Sequence, residues 1–184
     1  MSLKITYLAH STTTDNEAKI STGHNPGELS KLGRQQAIEL REHLKDKRFD
    51  IIFCSDLNRA VVSAKLFFPN AGEIIQDKRL RECNYGDMNG KPTPEVEAYD
   101  YLNQKYPNGE SYPDVEKRMK DFLKDALKDY PNNHIAIVSH KATQLALDKI
   151  TKKISWQETI KQDWRNTSSW QPGWEYEITK EDLK

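Results

Sequence analysis

Cysteine is scarce in this sequence: Cys54 and Cys83 are its only two, and they lack the close spacing of a metal knuckle. A disulfide framework and a structural zinc site are therefore disfavoured, and reduced thiols are expected. Net charge is also missing, because Lys plus Arg equals Asp plus Glu at 28 each. With no global field to attract nucleic acid or an anionic membrane, any anion site has to be local. No apolar run approaches the roughly 18 residues of a membrane span. The short apolar stretch near the N-terminus has no small-residue cleavage site, so a cytoplasmic protein is expected. No tract of low complexity and no Pro- or Gly-rich linker divides the 184 residues. One domain over 1–184 is the expectation, large enough to bury about 70% of its unfolded surface.

What the sequence does contain is a pair of matching segments. ITYLAHS (5–11) and IAIVSHK (135–141) superpose residue for residue, each an apolar run closed by a histidine. Both read as buried strands, and in open α/β sheets ligands bind at the carboxyl ends of such strands. Either histidine alone could be a strand cap bonded locally; their matched placement argues for two imidazoles converging on one crevice.

The rest alternates in the α/β manner. A polar loop follows the first strand, and residues 29–46 form a helix with Leu29, Leu32, Ala37, Leu40 and Leu44 at helical spacing and Ser30 as its cap. Residues 49–54 read as a second strand, 57–68 as a helix ending near Pro69, and Ile74 with Ile75 as a short third strand. A helix over 112–130 carries Val115, Met119, Phe122, Leu123 and Leu127 on one face. A helix over 142–150 follows the second histidine strand, and WEYEI near the end reads as an edge strand. This pattern predicts an α/β three-layer sandwich, a mostly parallel sheet between helices. His24, His43 and His134 are scattered, without metal spacing, and are expected to be solvated. Trp156, Trp164, Trp170 and Trp174 are expected to pack against the sheet edge.

Two rival chemistries fail on spacing. Cys54 and Arg59 stand one residue too close for a cysteine-dependent phosphatase loop, and GDMNGK (86–91) falls one residue short of a P-loop and follows no strand. The motifs that remain are His10 with Thr13 and Asn16 beyond it, Thr22-Gly23, LSKLG, SDLNRA (55–60), LRECNYGDMNG (80–90), NGESYPDVEKR (108–118) and VSH (138–140). In this order, over nearly the whole chain, they resemble the histidine phosphatase superfamily, the phosphoglycerate mutase-like proteins.

The resemblance implies roles. His10 would be the nucleophile that accepts a phosphoryl group, forming a phosphohistidine. Arg59 would grip phosphate oxygens with its planar fork at a helix start, and His140 would donate to the same oxygens in the transition state. Glu82 would act as general acid and base, although on sequence alone it reads as a loop carboxylate paired with Arg79 or Arg81. Ser11, Thr13, Asn16, Thr22, Gly23 and Lys141 would line the substrate site. The resemblance implies no metal and no cofactor.

Two departures stand out. The signature Arg-His-Gly reads Ala9-His10-Ser11 here, and Lys141 stands where the family carries glycine. Loss of one preorganised donor costs about 10² to 10³ in rate, so the departure implies a slower enzyme. The paired loss and gain suggests that Lys141 restores the missing charge, although an ammonium cannot copy a bidentate fork. A mutase would need a longer, arginine-paired stretch between Glu82 and Ile135. A metal-independent phosphatase acting on a small phosphomonoester leads, with a catalytically weak or inactive binder of a phosphorylated ligand and a mutase-type phosphotransferase as alternatives. The expected partner is a small phosphorylated metabolite, with no nucleic acid and no membrane, and a homodimer left open. Specificity would come from residues 90–111, which carry no recognisable code.

Overall fold

Strand β1 (Ser2–Ala9) and strand β6 (His134–Ser139) are buried at nearly every position past their first residues, as strands covered on both faces must be. They pair in parallel from Ile5 against Ile135 to Ala9 against Ser139. The alignment of the two histidine segments is therefore the register of the sheet, and His10 and His140 leave it at the same level. The computed structural model describes residues 1–184, except for the side chain of Thr167.

Along the chain between these strands come α1 (Thr14–Glu17), β2 (Ile20–Ser21), α2 (Lys31–Leu44), β3 (Ile51–Cys54), α3 (Asn58–Phe67), β4 (Ile75–Gln76), β5 (Lys91–Pro92) and α4 (Tyr112–Asp129). After β6 follow α5 (Lys141–Lys152), α6 (Trp156–Lys161), α7 (Trp164–Thr167) and β7 (Trp174–Thr179). The main sheet runs β4-β3-β6-β1-β7, parallel except for β7, which lies antiparallel to β1 at the edge. One face packs Leu8, Cys54 and Val138 on α2 and α3 through Ala37, Leu40, Leu44, Ala64 and Phe67. The other packs Ile5, Tyr7, Phe53, Ile135 and Ile137 on α4 and α5. The architecture is thus a helix-sheet-helix sandwich, as the alternating pattern predicted.

Helix α4 shows how the apolar period becomes stability. Val115, Met119, Phe122, Leu123, Ala126 and Leu127 share one buried face, and Phe122 meets Phe53 edge-on at 5.2 Å between ring centroids. Each large side chain of that stripe contributes about 1.5–3 kcal/mol by leaving water. Truncating Phe122 to Ala would cost about 3–5 kcal/mol. Ser111 stops the chain from fraying upstream: its hydroxyl accepts from Asp114 N–H, and the Asp114 carboxylate accepts from Ser111 N–H.

Four expectations are corrected. Helix α2 starts at Lys31 with Ser30 as its cap, and its buried stripe is Gly33, Ala37, Leu40 and Leu44; Leu32 is 52% exposed. The phase is set by Gly33, where a Cβ would fall 1.9 Å from the Thr12 carbonyl oxygen, so only glycine lets α2 approach the loop after His10. The polar loop after β1 is not featureless, because it holds α1, capped by Thr13, and β2, which pairs with β5 in a small antiparallel ribbon. His24 is half-buried and bonded rather than solvated, and His134 contacts Thr6 Oγ1 at 2.8 Å; His43 is exposed. The tryptophans divide: Trp164 stacks on Trp174 at 5.1 Å and Trp156 is buried against Tyr112, whereas Trp170 is 53% exposed. Helices α6 and α7 were not foreseen, being too short to show a period. Among the described residues, no helix is long and apolar enough to cross a membrane.

Candidate active site

At the carboxyl ends of β1 and β6 the two imidazoles stand with ring centroids 5.0 Å apart and planes tilted by 59°. His10 N–H donates to the Ser139 carbonyl at 2.9 Å, which carries the ladder one step past the strand. His10 Nδ1 lies 2.8 Å from the Ser11 carbonyl oxygen. A carbonyl can only accept, so Nδ1 holds the ring proton and the Nε2 lone pair is left to attack. Burial first and Arg59 second push the His10 pKa down to about 3; the Ser11 carbonyl pulls it up, and Arg165 adds the smallest downward push. The ring is therefore neutral at physiological pH. His140 is wholly enclosed, and burial and Arg59 hold its pKa well below the ordinary histidine range. Neither of its ring nitrogens has a hydrogen-bond partner. An enclosed polar group without a partner costs about 1–3 kcal/mol, a cost that a bound hydrogen-bonding ligand would relieve.

Arg59 enters from the first turn of α3, whose N-terminus has no side-chain cap and so presents its positive end to the site. Its side chain is buried, and its guanidinium donates to the carbonyl oxygens of Gly23 at 2.7 Å and Asn25 at 3.4 Å. Gly23 can turn that carbonyl toward Arg59 because its φ is +56°; a Cβ there would also meet Asn89 Oδ1 at 1.8 Å. Among the described residues Arg59 is in no ion pair, although the Glu82 and Asp15 carboxylates act on it from farther off.

Glu82 is buried between these elements. Its Oε1 accepts from Cys83 N–H at 2.8 Å and Ala142 N–H at 3.0 Å, and its Oε2 accepts from Lys141 N–H at 3.1 Å. The carboxyl therefore caps α5 at the two residues after His140, and Oε2 is the less occupied of its oxygens. The pairing with Arg79 or Arg81 does not occur: Arg79 binds Asp77 and Asp125, and Arg81 binds Asp56. The Glu82 backbone is held as well, because His24 Nε2 at 2.8 Å and Arg118 Nη2 at 2.9 Å both reach its carbonyl oxygen. Arg118 is fixed in turn by the Glu110 carboxylate and the Arg79 carbonyl.

The remaining predicted residues are distributed unevenly. Ser11 is buried, its N–H donating to Ser63 Oγ at 3.0 Å. Thr22 Oγ1 donates to Asp15 Oδ2 at 2.8 Å. Thr13 and Asn16 spend their side-chain oxygens on the capping box of α1, and Asn16 is exposed. Lys141 points its ammonium at Asp163 Oδ2, 3.5 Å away. The two charges that press on His10 are Arg59 and Arg165. Sequence reasoning did not find Arg165, which lies on the short α7 where no period or motif marks it. His24 and Arg118 stood inside the quoted motifs, but nothing in their spacing tied them to the Glu82 carbonyl. Beside His10 lies a cavity of about 530 Å³, walled by Ala9, Gln36, Glu39, His43, Trp164 and Trp170.

A neutral, tautomer-fixed imidazole, a second imidazole with unspent nitrogens, a guanidinium outside any ion pair and a buried carboxyl on one crevice define a site for transferring a group with anionic oxygens. The comparisons agree with that class. The family model of the histidine phosphatase superfamily (branch 1) matches residues 5–176, and the chain belongs to that family. It is 35% identical over 131 residues to the fructose-2,6-bisphosphatase TIGAR of Xenopus tropicalis, covering 65% of this chain but only 48% of that protein. It is 31% identical over 145 residues to the uncharacterized phosphatase PhoE of Bacillus subtilis, covering 76% of this chain and 72% of that one. Among solved structures it is similar to a mycobacterial glucosyl-3-phosphoglycerate phosphatase in complex with VO3 (TM-score 0.75, 25% identity, 85% of this chain and 86% of that one).

Proposed function

We propose that the protein is a phosphatase that hydrolyses a small phosphomonoester through a phosphohistidine on His10. The observation that carries this reading is the pairing of His10, whose Nδ1 faces the Ser11 carbonyl, with His140, whose two nitrogens have no partner, 5.0 Å apart beside Arg59. Phosphatases among the relatives, one of them holding VO3, support it. In the first step His10 Nε2 attacks phosphorus in line, the P–O ester bond breaks, and Glu82 Oε2 gives its proton to the departing alkoxide. Arg59 and His140 hold the equatorial oxygens as charge shifts onto them, which is where preorganised donors lower the barrier most. In the second step Glu82 takes a proton from water, the hydroxide attacks phosphorus, and the P–N bond breaks to return neutral His10 and release phosphate. No metal is needed for either step. Ala9 leaves the nucleophile's own strand without a guanidinium, so the rate is expected to be modest.

The test is a panel of phosphomonoesters with the parent and His10→Ala, together with labelling from a radioactive ester. Turnover that vanishes in His10→Ala, with an acid-labile, base-stable label on the parent, is the expected result. Equal turnover in both would place the chemistry elsewhere.

A further inference from the structure

Within that phosphatase reading, we propose that Arg165 is a phosphate-binding residue, a second guanidinium brought to the anion pocket by the C-terminal segment. Its placement follows from three contacts. Gln144 lies one turn along α5 from His140, its N–H donating to the His140 carbonyl at 3.2 Å. The Gln144 side-chain oxygen accepts from Trp164 Nε1 at 3.1 Å and Arg165 Nη2 at 3.3 Å, which pins α7 to the turn that begins with His140. The Arg165 guanidinium carbon lies 4.3 Å from the centroid of the Trp164 ring, and that ring walls the cavity beside His10. Arg165 thus stands between the His140 turn and the His10 cavity.

Charge balance points the same way. Asp163 is 2% exposed and accepts from Arg165 Nη1 at 2.9 Å and Arg165 N–H at 3.1 Å, both through Oδ1. Its Oδ2 faces the Lys141 ammonium at 3.5 Å without hydrogen-bond geometry. One carboxylate therefore answers two cations, Arg165 through hydrogen bonds and Lys141 at longer range. The Arg165 charge is felt, as a minor contribution, at His10 just beyond β1 and at Tyr7 within it. Asp163 and Gln144 engage one N–H on each terminal nitrogen of the fork, and the planar guanidinium has further donors for oxyanions. Arg165 and Lys141 share Asp163, Arg165 through two hydrogen bonds and Lys141 at 3.5 Å, and of the two only Arg165 has a planar fork that can meet an oxyanion with more than one N–H.

The test measures the binding of inorganic phosphate and orthovanadate to the full chain by calorimetry, with kcat and KM on p-nitrophenyl phosphate. The proteins are the parent, Arg165→Met, Arg165→Lys and the remote control Lys128→Met. Arg165→Met is expected to weaken phosphate binding about tenfold and raise KM. Arg165→Lys should recover only part of the loss, and Lys128→Met should match the parent. NMR titration of His10 should show its pKa rising in Arg165→Met, a response that a merely structural role would not give. Because Arg165→Met strands the buried Asp163, the double variant Asp163→Asn/Arg165→Met is measured as well and must lose phosphate affinity in the same way. Unchanged phosphate affinity in either variant, once folding is verified, overturns the proposal. A parent that binds phosphate without turnover removes the phosphatase reading and leaves Arg165 in place; a parent that binds no phosphate removes both.

Discussion

The carboxyl ends of β1 and β6 lie side by side in register, yet they are finished differently. His10 is half-buried with one nitrogen facing the Ser11 carbonyl, while His140 is wholly enclosed with both nitrogens unspent. Fixing one nitrogen leaves a defined lone pair on the other, which suits attack. Leaving both unspent lets the ring donate wherever an oxyanion forms, which suits stabilisation. The flanking residues differ too. Ala9 and Ser11 bring no charge to the β1 end, and the cations there come from α3 and α7; at the β6 end Lys141 is drawn to Asp163 and its N–H to Glu82. Two ends that the sequence presents as twins differ in burial and bonding because different long-range partners surround them.

The comparison is broken most directly at the rings themselves. His10→Ala removes the proposed nucleophile and should lower kcat by about 10⁴ or more, whereas His140→Ala removes the proposed donor and should lower it by about 10² to 10³. Equal losses, with no phosphohistidine missing from either variant, would erase the distinction. Arg118→Met comes next. It removes the Glu110 ion pair, one of the two contacts on the Glu82 carbonyl and the side-chain donor to the Arg79 carbonyl, so denaturant unfolding should show a loss of about 1–3 kcal/mol, and kcat should fall because Glu82 is held less firmly.

Acid sharpens the contrast further. Both imidazoles are held low in the folded protein, while an unfolded chain titrates its histidines near about 6.5. Between that value and the His10 value of about 3, the unfolded chain takes up protons that the folded one refuses. Stability is therefore full above about pH 6.5 and declines as pH falls toward 3, and a His10→Gln variant should show a shallower fall of Tm over that range. Ala9→Arg is expected to have the smallest effect, preserving or modestly raising kcat/KM on p-nitrophenyl phosphate, since Ala9 borders the cavity where a longer side chain has room.

The fold was legible where local pattern and burial coincide. The strand ends at 10 and 140, the α4 stripe from Val115 to Leu127 and the edge strand at WEYEI follow from apolar period alone. Leu32 was misplaced because leucine spacing in α2 admits two phases, and the deciding contact, Gly33 on the Thr12 carbonyl, joins distant segments. In the site, Arg59 and Glu82 came from motifs. The fixing of the Glu82 carbonyl by His24 and Arg118, and the placing of Arg165 on Gln144, depend on contacts between residues 58, 36 and 21 apart. Helices as short as α6 and α7 carry no period to announce them, so the segment that closes over His10 was hidden.

The Arg59 side chain is already clasped by the Gly23 and Asn25 carbonyl oxygens before any ligand arrives. A free arginine side chain carries about 2 kcal/mol of rotamer entropy, and here that loss is incurred as the polypeptide folds. Capture of an oxyanion by an arginine held in this way would not have to freeze its side chain, so the calorimetric signature of anion binding is expected to carry little configurational penalty from Arg59.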